Sequence, residues 1–193
     1  MNLGLETGTA APALIAALQP AATQARLWSE RHFPKGAPVF APGDGSDDVF
    51  LLLSGLVKLV YTTEGGDDWI KSFVIDQGVF SGRGASDATM GESYGAVCLE
   101  PCRIIRLPRP FVQKAVAENE ARQRAYQEFS AWVLARKQAR EAALLTLTPE
   151  ARYRALCIHA PQTLTRLPQG DVARFLGITP IAFSRIKRRI AAG

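Results

Sequence analysis

The stretch QGDVARFLGITPIAFSRIKRRI, residues 169–190, holds two short helical patterns joined by a glycine. Val172, Ala173 and Leu176 fall on one apolar face, and Gly177 then breaks the helix. Ile178 leads into Thr179-Pro180, a capping residue followed by proline at the first helical position. Phe183, Ile186 and Ile190 make the inner face of a second helix. A small Ala where two helices approach, a Gly four residues on and an apolar pair closing the angle form the pattern of a helix-turn-helix.

With that inner face assigned, Ile181, Ala182, Ser184, Arg185, Arg188 and Arg189 point outward. Arg185 lies about one and a half turns into the second helix, where a guanidinium reaches the O6 and N7 edge of guanine. Lys187, Arg188 and Arg189 lie further along and suit phosphates, as does Thr179 at the helix N-terminus. Net charge supports a polyanionic partner. Residues 151–193 carry eight basic side chains against Asp171 alone, whereas the remainder carries 15 basic and 17 acidic groups, within a total of +5. The expected partner of this segment is double-stranded DNA.

Upstream, TPEARYRALCIHA begins a helix with Thr148 as cap and Pro149 at its first position. Before it, residues 111–147 contain no Gly or Pro and are rich in Ala, Glu, Gln, Arg and Leu. This spacing predicts a short helix over 109–117 and a long one over 119–145. Tyr126, Phe129, Trp132 and Val133 form an apolar patch on the long helix, extended by Ala139, Ala143 and Leu144 and interrupted by Arg136 and Arg140. A helix of this length has more apolar surface than a small neighbouring domain covers, so the patch is expected to be the seam of a homodimer.

Residues 35–108 read differently. Val39-Phe40, Val49–Leu53, Leu56–Tyr61 and Trp69–Ile75 are short apolar runs cut by Gly, Pro and Asp, and GAVCLEPCRIIRLP adds one or two more. Turn signals at this interval predict an antiparallel β roll or sandwich. Residues 11–28 read as a helix with Pro20 as a break or kink. The fold class is therefore α+β: an antiparallel roll of the jelly-roll type, a long dimerisation helix and a C-terminal helix-turn-helix. The expected divisions are 1–118, 119–147 and 148–193. No run of residues matches the length of a membrane span, and the N-terminus has no basic segment before its apolar part, which fits a cytoplasmic protein with no membrane partner. Three scattered cysteines, Cys98, Cys102 and Cys157, are expected to be reduced thiols.

Over residues 30–190 the chain resembles the Crp/Fnr superfamily of bacterial transcription regulators. The resemblance rests on Lys35-Gly36, Phe40, Gly43-Asp44, Val49–Leu53, Gly55 and Val57-Lys58-Leu59, and on DVARFLGITPIAFSRIKRRI with its arginine at Arg185. It implies a cyclic-nucleotide-binding-like roll, a homodimer joined through the long helix, a two-fold symmetric DNA site and RNA polymerase as a further partner. The sequence ends three residues beyond the second helix, where many relatives add a β-hairpin wing. The resemblance then implies fewer phosphate contacts and a salt-sensitive site.

In cyclic-nucleotide-binding relatives, a loop between the later strands of the roll and the run CRIIRL brings a Glu to the ribose and, further on, an Arg-Ser or Arg-Thr pair to the cyclic phosphate. The matching stretch here is GRGASDATMGESYG, with Arg83, between Gly82 and Gly84, at the Glu position and Glu92-Ser93 at the Arg-Ser position. The charges are exchanged, and a carboxylate at Glu92 repels a phosphate. Arg83 and Glu92 are expected to pair across the loop. Relatives' base-contacting positions on the long helix fall at Lys137 and Gln138. Cyclic AMP is not expected to bind in the usual manner. No cofactor is predicted, and the residues name no small-molecule effector.

Other chemistries fit less well. An iron–sulfur sensor needs about four thiolates. A haem ligand would have to be His32, Cys98 or Cys102, and nothing marks them out. The spacing of Cys98 and Cys102 would allow a redox pair, but inert buried thiols are the expectation. A cupin-like oxygenase needs two or three His with a carboxylate, and the two histidines, His32 and His159, fall in different predicted domains. No enzyme is expected. The rival reading is a ligand-binding roll whose helix-turn-helix has lost specific DNA readout.

Overall fold

The computed structural model describes residues 5, 8–44, 47–82 and 94–191. Eight strands form two antiparallel sheets: β1 (Glu30–Phe33), β2 (Pro38–Phe40), β3 (Asp48–Ser54), β4 (Leu56–Thr62), β5 (Asp68–Ile75), β6 (Gly78–Ser81), β7 (Gly95–Cys98) and β8 (Cys102–Pro108). The sheet orders are β1-β8-β3-β6 and β2-β7-β4-β5. The four strands expected before residue 76 are present, and GAVCLEPCRIIRLP, expected to add one or two, adds two. β1 and β6 were not anticipated. ERHF is a mostly exposed edge strand with no apolar alternation, and GVFS is four residues long beside glycine.

Seven helices complete the described chain: α1 (Ala10–Gln24), α2 (Arg109–Ala117), α3 (Glu120–Thr146), α4 (Pro149–His159), α5 (Pro161–Arg166), α6 (Gln169–Phe175) and α7 (Pro180–Ala191). The first helix stops short of residue 28 because Arg26 turns the chain with a left-handed φ of 58°. Pro20 sits inside it. Asn119 caps α3 by accepting from the Arg122 N–H at 3.0 Å, and Thr148 caps α4 by accepting from the Ala151 N–H at 3.2 Å. The short α5 was missed, since Pro161 restarts a helix one residue after α4 ends.

The sheets have helices on both outer sides, giving four layers and three cores. Between the sheets lie Phe40, Phe50, Leu52, Val57, Leu59, Phe80, Tyr94 and Ile104. Val49, Leu51, Ile105 and Leu107 face outward from the first sheet onto Leu14, Ile15 and Leu18 of α1 and Val112 of α2. Leu56, Val60, Ile70, Phe73 and Ile75 face outward from the second onto Ala143 of α3, Leu156 of α4 and Val172, Ala173 and Phe175 of α6. Double-sided burial explains why Val49–Leu53 is a continuous apolar run in an antiparallel sheet, where one wet face would have imposed alternation.

A β-bulge sets the second outer core. Leu59 pairs with Ser72 and Val60 with Ile70, leaving Lys71 as the extra residue of β5. Ile70 and Phe73, three apart, can thus both face the helices.

The long helix does not stand clear of its own chain. Phe129 packs into the core that α1 shares with the first sheet. Trp132 lies beside it with ring centroids 6.0 Å apart. Gly8 approaches the indole so closely that a Cβ there would lie 2.5 Å from Trp132 Nε1. The expected four-residue seam is therefore divided. Phe129 and Trp132 are turned toward the N-terminal segment, because α1 supplies the cover that the sequence pattern assigned to a second copy. Tyr126, Leu134, Leu144 and Leu145 stay exposed.

Candidate nucleic-acid interface and effector pocket

The turn from α6 into α7 follows from three residues. Gly177 has φ +73°, a conformation that a side chain would strain, and Ile178 returns its N–H to Ala173 at 3.1 Å. Thr179 then accepts the Ala182 N–H at 3.2 Å, and Pro180 begins α7. Phe183 and Ile186 are buried, and Ile190 is half-buried. Phe183 meets Tyr153 of α4 edge-on at 4.9 Å. The other face carries Ile181, Ser184, Arg185 and Arg188, all exposed. Ile181 is 69% exposed, a high value for a large aliphatic side chain that serves no packing role here.

The basic segment is less free than its charge suggests. Arg152 is buried and its Nη1 donates to the carbonyls of Leu144 and Leu147 at 3.0 and 3.1 Å, closing the end of α3. Arg154 and Arg189 both reach Glu150, the latter at 2.7 Å. Arg174 reaches Asp171 at 3.6 Å. Arg166 binds Glu100 and Asp76 of the roll. Lys187 is half-buried, 6.0 Å from the Phe183 ring centre. The outward charge is thus concentrated on α7, in Arg185 and Arg188, and is smaller than a count over residues 151–193 implies.

The C-terminal helices sit on the second sheet through both apolar and charged contacts. Phe73 and Phe175 rings are 5.4 Å apart. Lys58 pairs with the buried Asp171 at 3.3 Å. Arg140 of α3 is turned inward, contrary to its expected place as an interruption of a surface seam. Its Nη2 donates to the Ile70 carbonyl at 2.9 Å and to the Phe175 carbonyl at 3.1 Å, and its Cζ lies 4.5 Å from the Phe175 ring centre. Burial lowers its pKa from the usual guanidinium range, opposed by Tyr61 and assisted by Arg152.

Of the residues expected at an effector pocket, Gly82 is buried at the end of β6, and Lys137 and Gln138 are exposed on α3. Arg83, Gly84, Glu92 and Ser93, with the ion pair expected between Arg83 and Glu92, lie outside the described residues. The residue that sequence reasoning missed is Lys71. Its ammonium sits 3.2 Å from the centre of the Tyr94 ring and 5.7 Å from that of Tyr61. Burial and then the nearby Lys137 charge lower its pKa to about 7. A lysine inside the apolar run WIKSFVI was the available signal.

Cys98 and Cys102 are buried neighbours, and Cys157 is exposed. Burial, then the Cys102 thiol, push Cys98 up to about 12, so it stays a thiol at neutral pH. No group of three His, Cys, Asp or Glu side chains suited to a metal ion occurs among the described residues. No helix among them is long and apolar enough to cross a membrane.

Comparison with known proteins agrees with this architecture. The Cyclic nucleotide-binding domain family matches residues 30–119. The Global nitrogen regulator of Synechococcus elongatus is 32% identical over 91 residues, 45% of this chain and 40% of that protein, so the match spans less than half of that relative. FixK2 from Bradyrhizobium japonicum superposes with a TM-score of 0.71 at 14% identity, over 85% of this chain and 84% of FixK2. A CooA variant from Carboxydothermus hydrogenoformans gives 0.72 at 15% identity, over 88% and 79%. Residues 30–119 thus match the Cyclic nucleotide-binding domain family, and the chain shares its fold with these two solved structures.

Proposed function

We propose that this protein is a sequence-specific DNA-binding transcription regulator that acts as a homodimer on a palindromic site. The observation that carries the reading is the division of α7. Phe183 and Ile186 are spent on packing, while Ile181, Ser184, Arg185 and Arg188 remain on an exposed face behind a glycine turn. Arg185 takes the base-reading role, with Ile181 suited to a thymine methyl. Thr179, Lys187, Arg188 and Arg189 face phosphates. The chain divides by role into a sensor at 1–118, a dimer helix at 119–147 and a DNA-binding unit at 148–193. The seam draws on Tyr126 and Val133, with Leu134 and Leu145 beside them on the uncovered side of α3.

The effector differs from cyclic AMP bound in the usual manner. This rests on the exchanged charges of Arg83 and Glu92 in the sequence and on Lys71, which fills the aromatic corner beneath Tyr94.

The test is binding to palindromic promoter fragments selected from random sequence. Arg185→Ala is expected to weaken the selected site about 10- to 100-fold and leave random DNA nearly unchanged. Equal loss on both would make Arg185 a phosphate contact. A wild-type protein that selects no sequence would favour the rival reading, a ligand-binding roll without specific readout.

A further inference from the structure

One nitrogen of Arg140 joins two places that matter to the reading above. The Ile70 carbonyl belongs to the residue before the half-buried Lys71, whose ammonium lies against the Tyr94 ring. The Phe175 carbonyl belongs to the last residue of α6, two residues before the Gly177 turn into α7. Both bonds leave the same Nη2, so neither carbonyl can move by about an ångström without loosening a bond or dragging the other.

The surroundings of this guanidinium are unusual for a packing role. Its partners are two carbonyl oxygens and an aromatic face, and its Nε is enclosed without a hydrogen-bond partner among the described residues. Holding a cation this way is costly, and an apolar side chain of similar volume packs as well or better. What only the guanidinium supplies is the tie. At the α6 end it meets a helix C-terminus, where carbonyls lack helical partners and positive charge is favoured. At the β5 end it holds the strand immediately before the bulge, where the ladder is already interrupted.

We propose that Arg140 is a positioning residue that couples the conformation of β5 at Lys71 to the set of α6 and, through Gly177, to the orientation of α7. Its consequence for DNA affinity rests on α7 being the reading helix; the coupling itself does not. A ligand or charge change that shifts Lys71 moves the Ile70 carbonyl. Arg140 then releases or repositions the Phe175 carbonyl, and the turn that aims Arg185 follows. The route passes from sheet to reading helix across the shared core and needs no bending of α3.

A double-mutant cycle on the full-length protein tests this. The amides of Phe175–Phe183 are followed by hydrogen exchange without DNA in wild type, Lys71→Met, Arg140→Met and the double variant. Lys71→Met is expected to change exchange of these amides at least about 5-fold in the wild-type background and to leave them unchanged in the Arg140→Met background. Equal change in both backgrounds, or none in either, overturns the proposal. Urea unfolding of each variant separates coupling from collapse, since Arg140→Met is expected to keep near wild-type stability. If it does not fold, Arg140→Lys serves instead: it keeps the charge but loses the planar face on Phe175, and partial coupling is expected. DNA affinity measured on the same four proteins keeps the two ideas apart. Coupled exchange with no sequence-specific DNA binding would sink the regulator reading and spare the coupling, and the reverse result would do the opposite.

Discussion

Arg166, the last residue of α5, forks onto Glu100 in the turn between β7 and β8, with Nε and Nη2 at 3.0 and 2.6 Å from its two carboxylate oxygens. Its Nη1 reaches Asp76 at 2.6 Å, and Asp76 in turn accepts the Gly55 N–H at 2.7 Å. One side chain of the C-terminal unit thus gathers three turns of the roll. The pairs are about one-third exposed, so solvent screens them. Arg166→Ala is expected to lower unfolding free energy by about 1 kcal/mol, measured by urea denaturation, with the loss shrinking at high salt.

Acid should weaken the same junction. Burial works to raise the Asp76 carboxyl, but its bonds from Arg166 and Gly55 outweigh this and hold it below its ordinary 3.8. A depressed carboxyl stabilises the fold fully above the unfolded value and loses that contribution as pH falls through the folded one. Urea midpoints measured from pH 6 to pH 2.5 should therefore fall less steeply for Asp76→Asn than for wild type. Parallel curves would remove Asp76 from the acid response.

Lys71 has the opposite sense. Its folded pKa of about 7 lies below the unfolded 10.5, so between these values the unfolded chain binds more protons. The penalty of the buried ammonium is complete below about pH 7 and is relieved as pH rises toward 10.5. Lys71→Met should raise the melting temperature at pH 6 by about 2–4 °C or more, and the gain should shrink steadily by pH 9.5. A gain that does not vary with pH would mean that the variant acts through packing alone.

Gly55 is the tightest of the turn glycines. Its φ is +109°, and a Cβ would lie 2.7 Å from both Cys102 Sγ and the Pro101 carbonyl oxygen. Backbone on one side and a buried thiol on the other leave nowhere to yield. Gly55→Ala is expected to cost about 2–3 kcal/mol and to disturb the Asp76 bond to the Gly55 N–H. Gly66, with φ +83° and open space around it, should cost about 1 kcal/mol on the same change, from backbone strain alone.

Salt dependence should separate Arg185 from Arg188, two exposed arginines of α7 that have no carboxylate partner among the described residues. Arg188→Ala is expected to weaken specific and random DNA alike and to make the plot of log affinity against log salt shallower by about 1. Arg185→Ala should reduce the specific site far more than the random one. Interchanged behaviour would mean that α7 lies in the groove in a different register from the one proposed.

The elements that sequence made legible are those whose local chemistry agrees with their tertiary role. Thr148-Pro149 and Thr179-Pro180 mark helix starts wherever they occur, and Gly177 marks a turn because its φ is positive in the fold. Phe183 and Ile186 were legible from spacing alone. What escaped notice depended on partners distant in sequence. Phe129 and Trp132 are exposed on an isolated α3, and only the arrival of α1 decides which protein covers them. Arg140 looks like a surface charge until β5 and α6 close on it. The bulge that turns Lys71 toward Tyr94 leaves no mark in composition. The basic tail misled in the same way, because Arg152 and Arg166 carry positive charge in the sequence but spend it on carbonyls and carboxylates of the same chain.

Phe73 and Phe175 belong to one core, yet one comes from the roll and the other from the C-terminal helices. The outer face of β4 and β5 is, in effect, the missing wall of the C-terminal helices. Residues 148–193 produced alone would expose that face of Phe175 and Val172 to water and leave Asp171 without Lys58. Such a fragment makes a poor module for grafting. An engineered chimera would therefore have to carry the outer face of the second sheet together with the helices that close it.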